Sequence, residues 1–277
     1  MIAMEMIPPV LPRRRRDAHK GDFVRLFLLA GSREYTGAPA LCANAAVRSG
    51  AGLVTLAVPE EVWPIAAVKC DEAMVWPLPE DYDTILKKAS ACDAVVMGPG
   101  LGQSARAEQL VLSLLQDLEC PVVVDADGLN ILSRHIDVLD NRKGCTVLTP
   151  HEGEFSRLSG CTLPIADRIT AACEFAGAHG CILVLKGHRT VTARPDGSCT
   201  VNTTGNPGMA RGGSGDALAG MLGALLCQGI QAAPETAVWL HGRAGDLAAA
   251  EKGEYGMTVT DLIGQVPYAM KEVTEGE

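Results

Sequence analysis

The sequence predicts an α/β fold: a doubly wound, mostly parallel central sheet with helices on both faces, finished by a helical C-terminal part. Three observations point there. Short apolar runs alternate with longer segments of helical composition through the first two-thirds of the chain. The runs are continuously apolar, as strands covered on both faces are. Most of them end in a polar or glycine-rich tip, and open α/β sheets bind ligands beyond the carboxyl ends of their strands.

Taken in order, residues 23–30 read as a buried strand ending in Gly31-Ser32. The loop 33–37 leads to a helix over 38–49, whose many alanines permit close packing against a sheet or a ligand. A strand over 53–58 follows, then a short helix over 60–68, a weak strand over 74–76 and a helix over 84–90. Residues 93–97 form a strand ending in Gly98-Pro-Gly-Leu-Gly102. The next helix, 105–117, places Leu110, Val111, Leu114 and Leu115 at helical spacing. A strand over 121–124 ends in Asp125-Ala-Asp127, and a short helix carries 129–132. A strand over 146–148 ends in Thr149-Pro-His-Glu-Gly-Glu154, with helices over 154–158 and 165–178. The strand 181–185 ends in Lys186-Gly187. Residues 190–194 and 199–201 flank Pro195-Asp-Gly197, a hairpin signal. Helices over 214–227, 234–251 and 259–272 complete the chain. No linker, low-complexity segment or fixed-period repeat interrupts it, so one domain over 19–277 is expected, preceded by an extension over 1–18.

The chain has 277 residues, 47% hydrophobic, enough for a sizeable core. Its net charge of -9 argues against general nucleic-acid or anionic-membrane binding, so an anionic nucleotide needs a local positive site. No run is long and apolar enough to span a bilayer. Residues 1–12 are apolar but precede Arg13 to Arg16, the reverse of a secretory signal, and the arginine run reads as a solvated extension. The ten cysteines include no C-x-x-C pair, and several sit in apolar runs, which fits a reducing cytoplasm better than a disulfide framework.

The stretch from Asn202 to Gly220 carries the strongest chemical signal. A polar turn runs into Gly212-Gly-Ser-Gly-Asp216 and on into a long apolar helix. A helix N-terminus after glycines presents free N–H groups and a favourable dipole to an anion. Asp216 would repel a phosphate there unless it faces another atom, such as a hydroxyl to be deprotonated. Locally, two readings stay open: a phosphoryl-transfer site with a built-in base, or a buried helix capped by an aspartate. The other tips add Gly98-Pro-Gly100, Asp125 and Asp127, His151 with Glu154, and Lys186-Gly187. Gly98-x-Gly-x-Gly102 lacks the dinucleotide-fingerprint spacing, and no P-loop signature occurs. Lys186 either snorkels to solvent or offers a point charge to a phosphate. Glu154 either favours its helix N-terminus or holds magnesium-bound water near a phosphate.

Many of these pieces, in order, resemble the ADP-dependent NAD(P)H-hydrate dehydratases of the ribokinase-like superfamily. The pieces are His19-Lys-Gly21, Ala30-Gly-Ser with Tyr35-Thr-Gly-Ala38, Arg48-Ser-Gly-Ala-Gly-Leu-Val54 and Gly98-Pro-Gly-Leu-Gly102. They continue with Asp125-Ala-Asp-Gly-Leu-Asn130, Leu148-Thr-Pro-His-Glu-Gly-Glu154, Val184-Leu-Lys-Gly187 and Asn206-Pro-Gly-Met-Ala-Arg-Gly-Gly-Ser-Gly-Asp216. The resemblance implies a ribokinase-like fold and repair of hydrated NADH or NADPH, with ADP (or ATP) as phosphoryl donor and a Mg2+ ion. It implies phosphorylation of the ring hydroxyl of the S-epimer, then loss of phosphate to restore the double bond, with AMP released. Asp216 is the implied base and touches the hydrated cofactor, and Gly213, Ser214 and Gly215 form the anion hole. Lys186, Gly187, His188, Arg189, Thr190 and Gly215 match nucleotide-binding positions. Ala38, Gly100 and His151 match positions contacting the hydrated dinucleotide, and Glu154 would organise magnesium through water. A cytoplasmic homo-oligomer, a tetramer, served by a separate epimerase, is also implied. Glu152 stands where the family commonly has Pro, Arg211 and Ser214 where it has Thr, and Gly128 where it has Ala. The alternatives are a small-molecule kinase of the same fold, phosphorylating a thiazole or pyrimidine alcohol, and a nucleotide-binding sensor.

Overall fold

Each central strand feeds two cores, because successive side chains in a strand point to opposite faces. Leu26, Leu28, Ala94, Val96, Val123 and Val184 face one apolar cluster, while Phe27, Leu29, Val95, Met97, Val124 and Leu185 face the other. That is why the strands read as unbroken apolar runs. The computed structural model describes residues 4–6, 8–17, 24–230 and 232–274.

Ten strands among the described residues form one sheet: β1 (Met4–Glu5), β2 (Arg25–Leu29), β3 (Leu53–Val58), β4 (Met74–Pro77), β5 (Ala94–Met97), β6 (Val122–Val124), β7 (Thr146–Leu148), β8 (Ile182–Leu185), β9 (Val191–Ala193) and β10 (Cys199–Val201). The spatial order is β1-β10-β9-β8-β7-β6-β5-β2-β3-β4. From β4 to β8 every pairing is parallel; β9 is antiparallel to both β8 and β10. The chain moves outward from β2 to β4, then returns to place β5 on the other side of β2. Strand order therefore reverses between β2 and β5, the crevice where such sheets take ligands. The helices are α1 (Ala38–Arg48), α2 (Trp63–Lys69), α3 (Tyr82–Ser90), α4 (Ala105–Asp117), α5 (Asp127–Leu132), α6 (Glu152–Ser159), α7 (Arg168–His179), α8 (Ser214–Cys227), α9 (Ala233–Lys252) and α10 (Val259–Glu272). Helices α1, α8, α9 and α10 cover one face, and α4, α5, α6 and α7 cover the other.

Boundaries differ from the sequence reading where a cap decides them. Helix α6 starts at Glu152 because His151 caps it: its Nδ1 accepts from the N–H groups of Gly153 and Glu154, and Glu154 returns a bond to the His151 N–H. Helix α7 starts at Arg168 because Asp167 accepts from Ile169 and Thr170. Periodicity does not reveal either cap.

The N-terminal extension is not wholly solvated. Strand β1 pairs in parallel with β10, and Leu11 is buried. Arg13 to Arg16 are exposed, as expected, although Arg14 donates to the Gly50 carbonyl and to Gln228. The motif 19–21 and the start of the strand expected at 23 lie outside the described residues. All ten cysteines are free, and among the described residues no helix is long and apolar enough to cross a membrane.

One ion pair ties the hairpin to α9. Arg194 forks onto buried Glu235 at 2.7 and 2.8 Å. Removing the cation leaves a carboxylate with little access to water. Arg194→Ala is expected to cost roughly 2 kcal/mol, below the full price of a buried pair because Arg194 is itself partly exposed. Urea unfolding measures it.

Candidate active site

The carboxyl ends of β5, β6, β7 and β8 lie side by side, so their tips converge although they are far apart in sequence. After β6 comes Asp125, 1% exposed; after β8 comes Lys186. The Lys186 ammonium stands 2.6 Å from Asp125 Oδ1 and 3.7 Å from Glu154 Oε2. Thr149, at the end of β7, donates its hydroxyl to the same Asp125 oxygen at 2.7 Å. Burial alone would pull Lys186 down, but the charges of Asp125, Glu154 and Asp216 outweigh it and hold the amine above its ordinary value. Lys186 is a fixed cation here and does not snorkel to solvent. Between Asp125 and Asp127, Ala126 adopts φ +49°, a strained conformation of the kind that clusters at functional sites. Asp127 accepts from the Gly102 N–H at 2.9 Å, tying the tip of β6 to that of β5.

Helix α8 meets this cluster end-on. Its N-cap is Gly213 at φ +96°, a conformation costly for any residue with a Cβ. No side chain caps the helix, so its first N–H groups stay available to a ligand. A Cβ on Gly215 would stand 3.4 Å from Lys186 Nζ, so the fixed cation lies directly beside the glycine turn.

Asp216 follows in the first turn of α8. It makes no hydrogen bond or ion pair among the described residues. Burial, with the charges of Asp125, Asp127 and Glu154, pushes its carboxyl up to about 6 against the opposing pull of Lys186. A half-buried carboxylate without a partner is poised to accept a proton near neutral pH. Of the two readings open in the sequence, a cap is excluded: the N-cap residue is Gly213 and Asp216 caps nothing.

A cavity of 820 Å³ opens on one side of the turn. Its walls include the whole loop Lys186, Gly187, His188, Arg189 and Thr190, together with His151, Ser214, Gly215, Thr204, Met209 and Val238. The volume suits a nucleotide-sized ligand. Ala38 and Gly100 are not in this cavity. They lie together at the β2/β5 switch point, where a Cβ on Gly100 would stand 2.9 Å from the Ala38 Cβ and 2.7 Å from that of Tyr35. One turn along α1, Leu41 packs against Gly213. The expected substrate positions and the expected nucleotide positions thus approach the glycine turn from different sides, while His151 lines the cavity.

Two residues, His241 and Asp246, escaped the sequence reading. His241 of α9 is 8% exposed; burial holds its ring down at about 4, so it is neutral and donates from Nε2 to the Ser214 carbonyl at 3.0 Å. Its Nε2 also lies 3.3 Å from the Ser214 hydroxyl. Asp246 accepts from Gly205 N–H and from the Asn206 amide, fixing the approach to the glycine turn. Nothing in the local sequence marks either, because each acts on a segment 27 or 40 residues away. Arg211 donates to the Gly208 carbonyl and lines the cavity.

A magnesium ion bound directly by the protein does not fit this site: among the described residues no group of three or more His, Cys, Asp or Glu could hold a metal ion. Magnesium carried on nucleotide phosphates, keeping most of its waters, needs only one or two carboxylates, and Glu154 beside Lys186 fits that role.

A family model for NAD(P)H-hydrate dehydratase matches residues 26–268. The chain belongs to that family. It is 40% identical over 281 residues to the bifunctional NAD(P)H-hydrate repair enzyme Nnr of Thermofilum pendens, covering 97% of this chain and 54% of that protein. The chain thus spans about half the length of such bifunctional relatives. It is similar to a crystallised ribokinase-like superfamily protein from Enterococcus faecalis, with a TM-score of 0.85 at 30% identity, over 96% of this chain and 93% of the other. It is also similar to the ADP/ATP-dependent NAD(P)H-hydrate dehydratase of Bacillus subtilis, co-crystallised with ATP/Mg2+, with a TM-score of 0.83 at 33% identity, over 95% of each chain. The fold of this family member is ribokinase-like, as the resemblance implied.

Proposed function

We propose that the protein dehydrates the S-epimer of hydrated NADH or NADPH at the expense of ADP, returning the dihydronicotinamide cofactor and releasing AMP and phosphate. One observation carries the reading: Asp216, a carboxylate with no partner among the described residues and pushed up to about 6, stands at the open end of α8 beside a fixed cation. Membership of the dehydratase family supplies the substrate class.

Hydroxide is a poor leaving group and phosphate a good one, so the difficulty lies in phosphorylating the ring hydroxyl. Asp216 takes the hydroxyl proton as that oxygen attacks the terminal phosphoryl group of ADP. The bond to AMP breaks as the new phosphate ester forms. The α8 N–H groups at Gly213 to Gly215 and the Lys186 ammonium meet the negative charge on the transferring oxygens. Loss of phosphate, with a proton from the neighbouring ring atom, then restores the double bond. Ala38, Gly100 and His151 contact the hydrated dinucleotide, and residues 186–190 with Gly215 hold the adenine nucleotide. Magnesium, when present on the phosphates, neutralises their charge, and Glu154 would hold its water. The proposal includes a cytoplasmic homotetramer and a separate epimerase acting on the same hydrate.

The test is direct. The protein is incubated with hydrated NADH, ADP and magnesium, and NADH absorbance is followed together with phosphate release. Restored absorbance with one phosphate per NADH is the expected result. No restoration with either ADP or ATP rejects the proposal, and a stable phosphorylated alcohol would instead mark a kinase.

A further inference from the structure

We propose that Arg168 is a positioning residue that sets the shape of the 186–190 loop for a nucleoside diphosphate, and that Glu152 holds its guanidinium in register. The inference rests on reading that loop as nucleotide-binding.

Arg168 is the first residue of α7, and the Asp167 cap anchors its backbone. Side chains in a helix lean toward its N-terminus, which here aims the guanidinium at the tip of β8. Its Nη2 donates to the carbonyls of Leu185 at 3.0 Å and Lys186 at 3.1 Å. Its Nη1 donates to His188 at 2.8 Å and reaches Arg189 at 3.5 Å. One planar fork thus gathers the carbonyls of four of the five residues from 185 to 189.

The loop needs such a partner. Gly187 has φ +152° and Arg189 has φ +57°, both rare for residues with a side chain. A Cβ on Gly187 would stand 2.8 Å from Arg168 Nη2, so the guanidinium occupies the space a side chain would fill. Peptide planes that turn their carbonyls to Arg168 turn the opposite N–H groups away from it. The N–H groups of Arg189 and Thr190 have no hydrogen-bond partner among the described residues, and both residues line the cavity. Arg168 thereby keeps carbonyl oxygens away from a phosphate and leaves N–H groups free to meet it.

Glu152 supplies a countercharge: its Oε1 lies 3.1 Å from Arg168 Nε, an ion pair whose angle makes no hydrogen bond. Glu152 is also the first residue of α6, next to His151. The ion pair therefore links the cap of α6 to the nucleotide loop.

Lysine keeps the charge of Arg168 but cannot fork onto several carbonyls. ADP binding is measured by calorimetry for the wild type, Arg168→Lys and Glu152→Pro, with the ADP dependence of dehydration and thermal unfolding alongside. In Arg168→Lys, ADP Kd and KM are expected to rise about tenfold or more, from the loss of charge-assisted bonds, with kcat at saturating ADP held within about twofold. Glu152→Pro removes the ion pair alone at a helix position where proline is well accepted, so it keeps the fold even where Arg168→Lys does not. It should raise ADP KM by about two- to threefold, the scale of a partly exposed pair. Wild-type ADP affinity in folded Arg168→Lys, or an unchanged KM in Glu152→Pro where Arg168→Lys fails to fold, overturns the proposal. A wild type that binds no adenine nucleotide rejects the nucleotide reading of the loop itself.

Discussion

Asp216→Asn is expected to lower turnover by about three orders of magnitude, within the range of general-base catalysis, while ADP affinity stays within about threefold. The amide is nearly isosteric but cannot accept the hydroxyl proton, and the α8 N–H groups and Lys186 remain in place. Single-turnover NADH restoration and ADP calorimetry separate the two effects. Turnover near the wild-type rate would remove Asp216 from the role of base.

The same variant makes a stability prediction of opposite sense. The Asp216 carboxyl rises from 3.8 to about 6 on folding. Below about pH 4 it is protonated in folded and unfolded chains alike and costs nothing. Between about 4 and 6 the unfolded chain releases its proton while the folded one keeps it, so stability falls as pH rises through that window, and the cost is complete above it. A rise of this size corresponds to on the order of 2–3 kcal/mol. Asp216→Asn should therefore unfold at higher denaturant concentration than the wild type at pH 8, with the gap closing by pH 4. A site that gives up stability to keep a carboxylate ionised is a site under functional demand. The wild-type rate should fall as pH drops below about 6, where the base becomes protonated.

Lys186→Ala is the second large effect. Lys186 contacts Asp125 and lies within reach of Glu154, with Asp216 in the same field. Its removal leaves a phosphate facing these carboxylates without a cation, and ADP affinity is expected to fall about 30-fold, the worth of a charge-assisted contact. It also removes the charge that lowers the Asp216 pKa, so the acid limb of the rate profile should move upward from about 6. An unchanged ADP affinity together with an unmoved limb would place Lys186 outside the phosphate site.

Much of this site was legible in residue types. Glycine before a long apolar helix marks an uncapped N-terminus, because few other residues accept the backbone it needs. Asp216 stood out as a carboxylate where an anion should bind. Lys186 stood out as a charge ending an apolar strand. Partners could not be read the same way. Asp125 and Lys186 are 61 residues apart and meet only because β6 and β8 flank β7. Nothing in the local sequence singles out Arg168; its target carbonyls follow from the bend of the 186–190 loop. His151 was recognised, but its capping of α6 depends on a ring orientation that spacing does not carry.

The sequence by itself determined the α/β class, the strand tips that carry chemistry and the family to which the chain belongs, because backbone geometry, apolar burial and ordered motifs are written locally. Only the tertiary structure decided that Asp216 has no partner among the described residues and is not a cap, that Lys186 is locked against Asp125, and that Arg168 gathers the loop carbonyls. Those are properties of burial and of distances across the sheet. They arise where the fold brings remote charges within a few ångströms and strips away the water that would otherwise screen them.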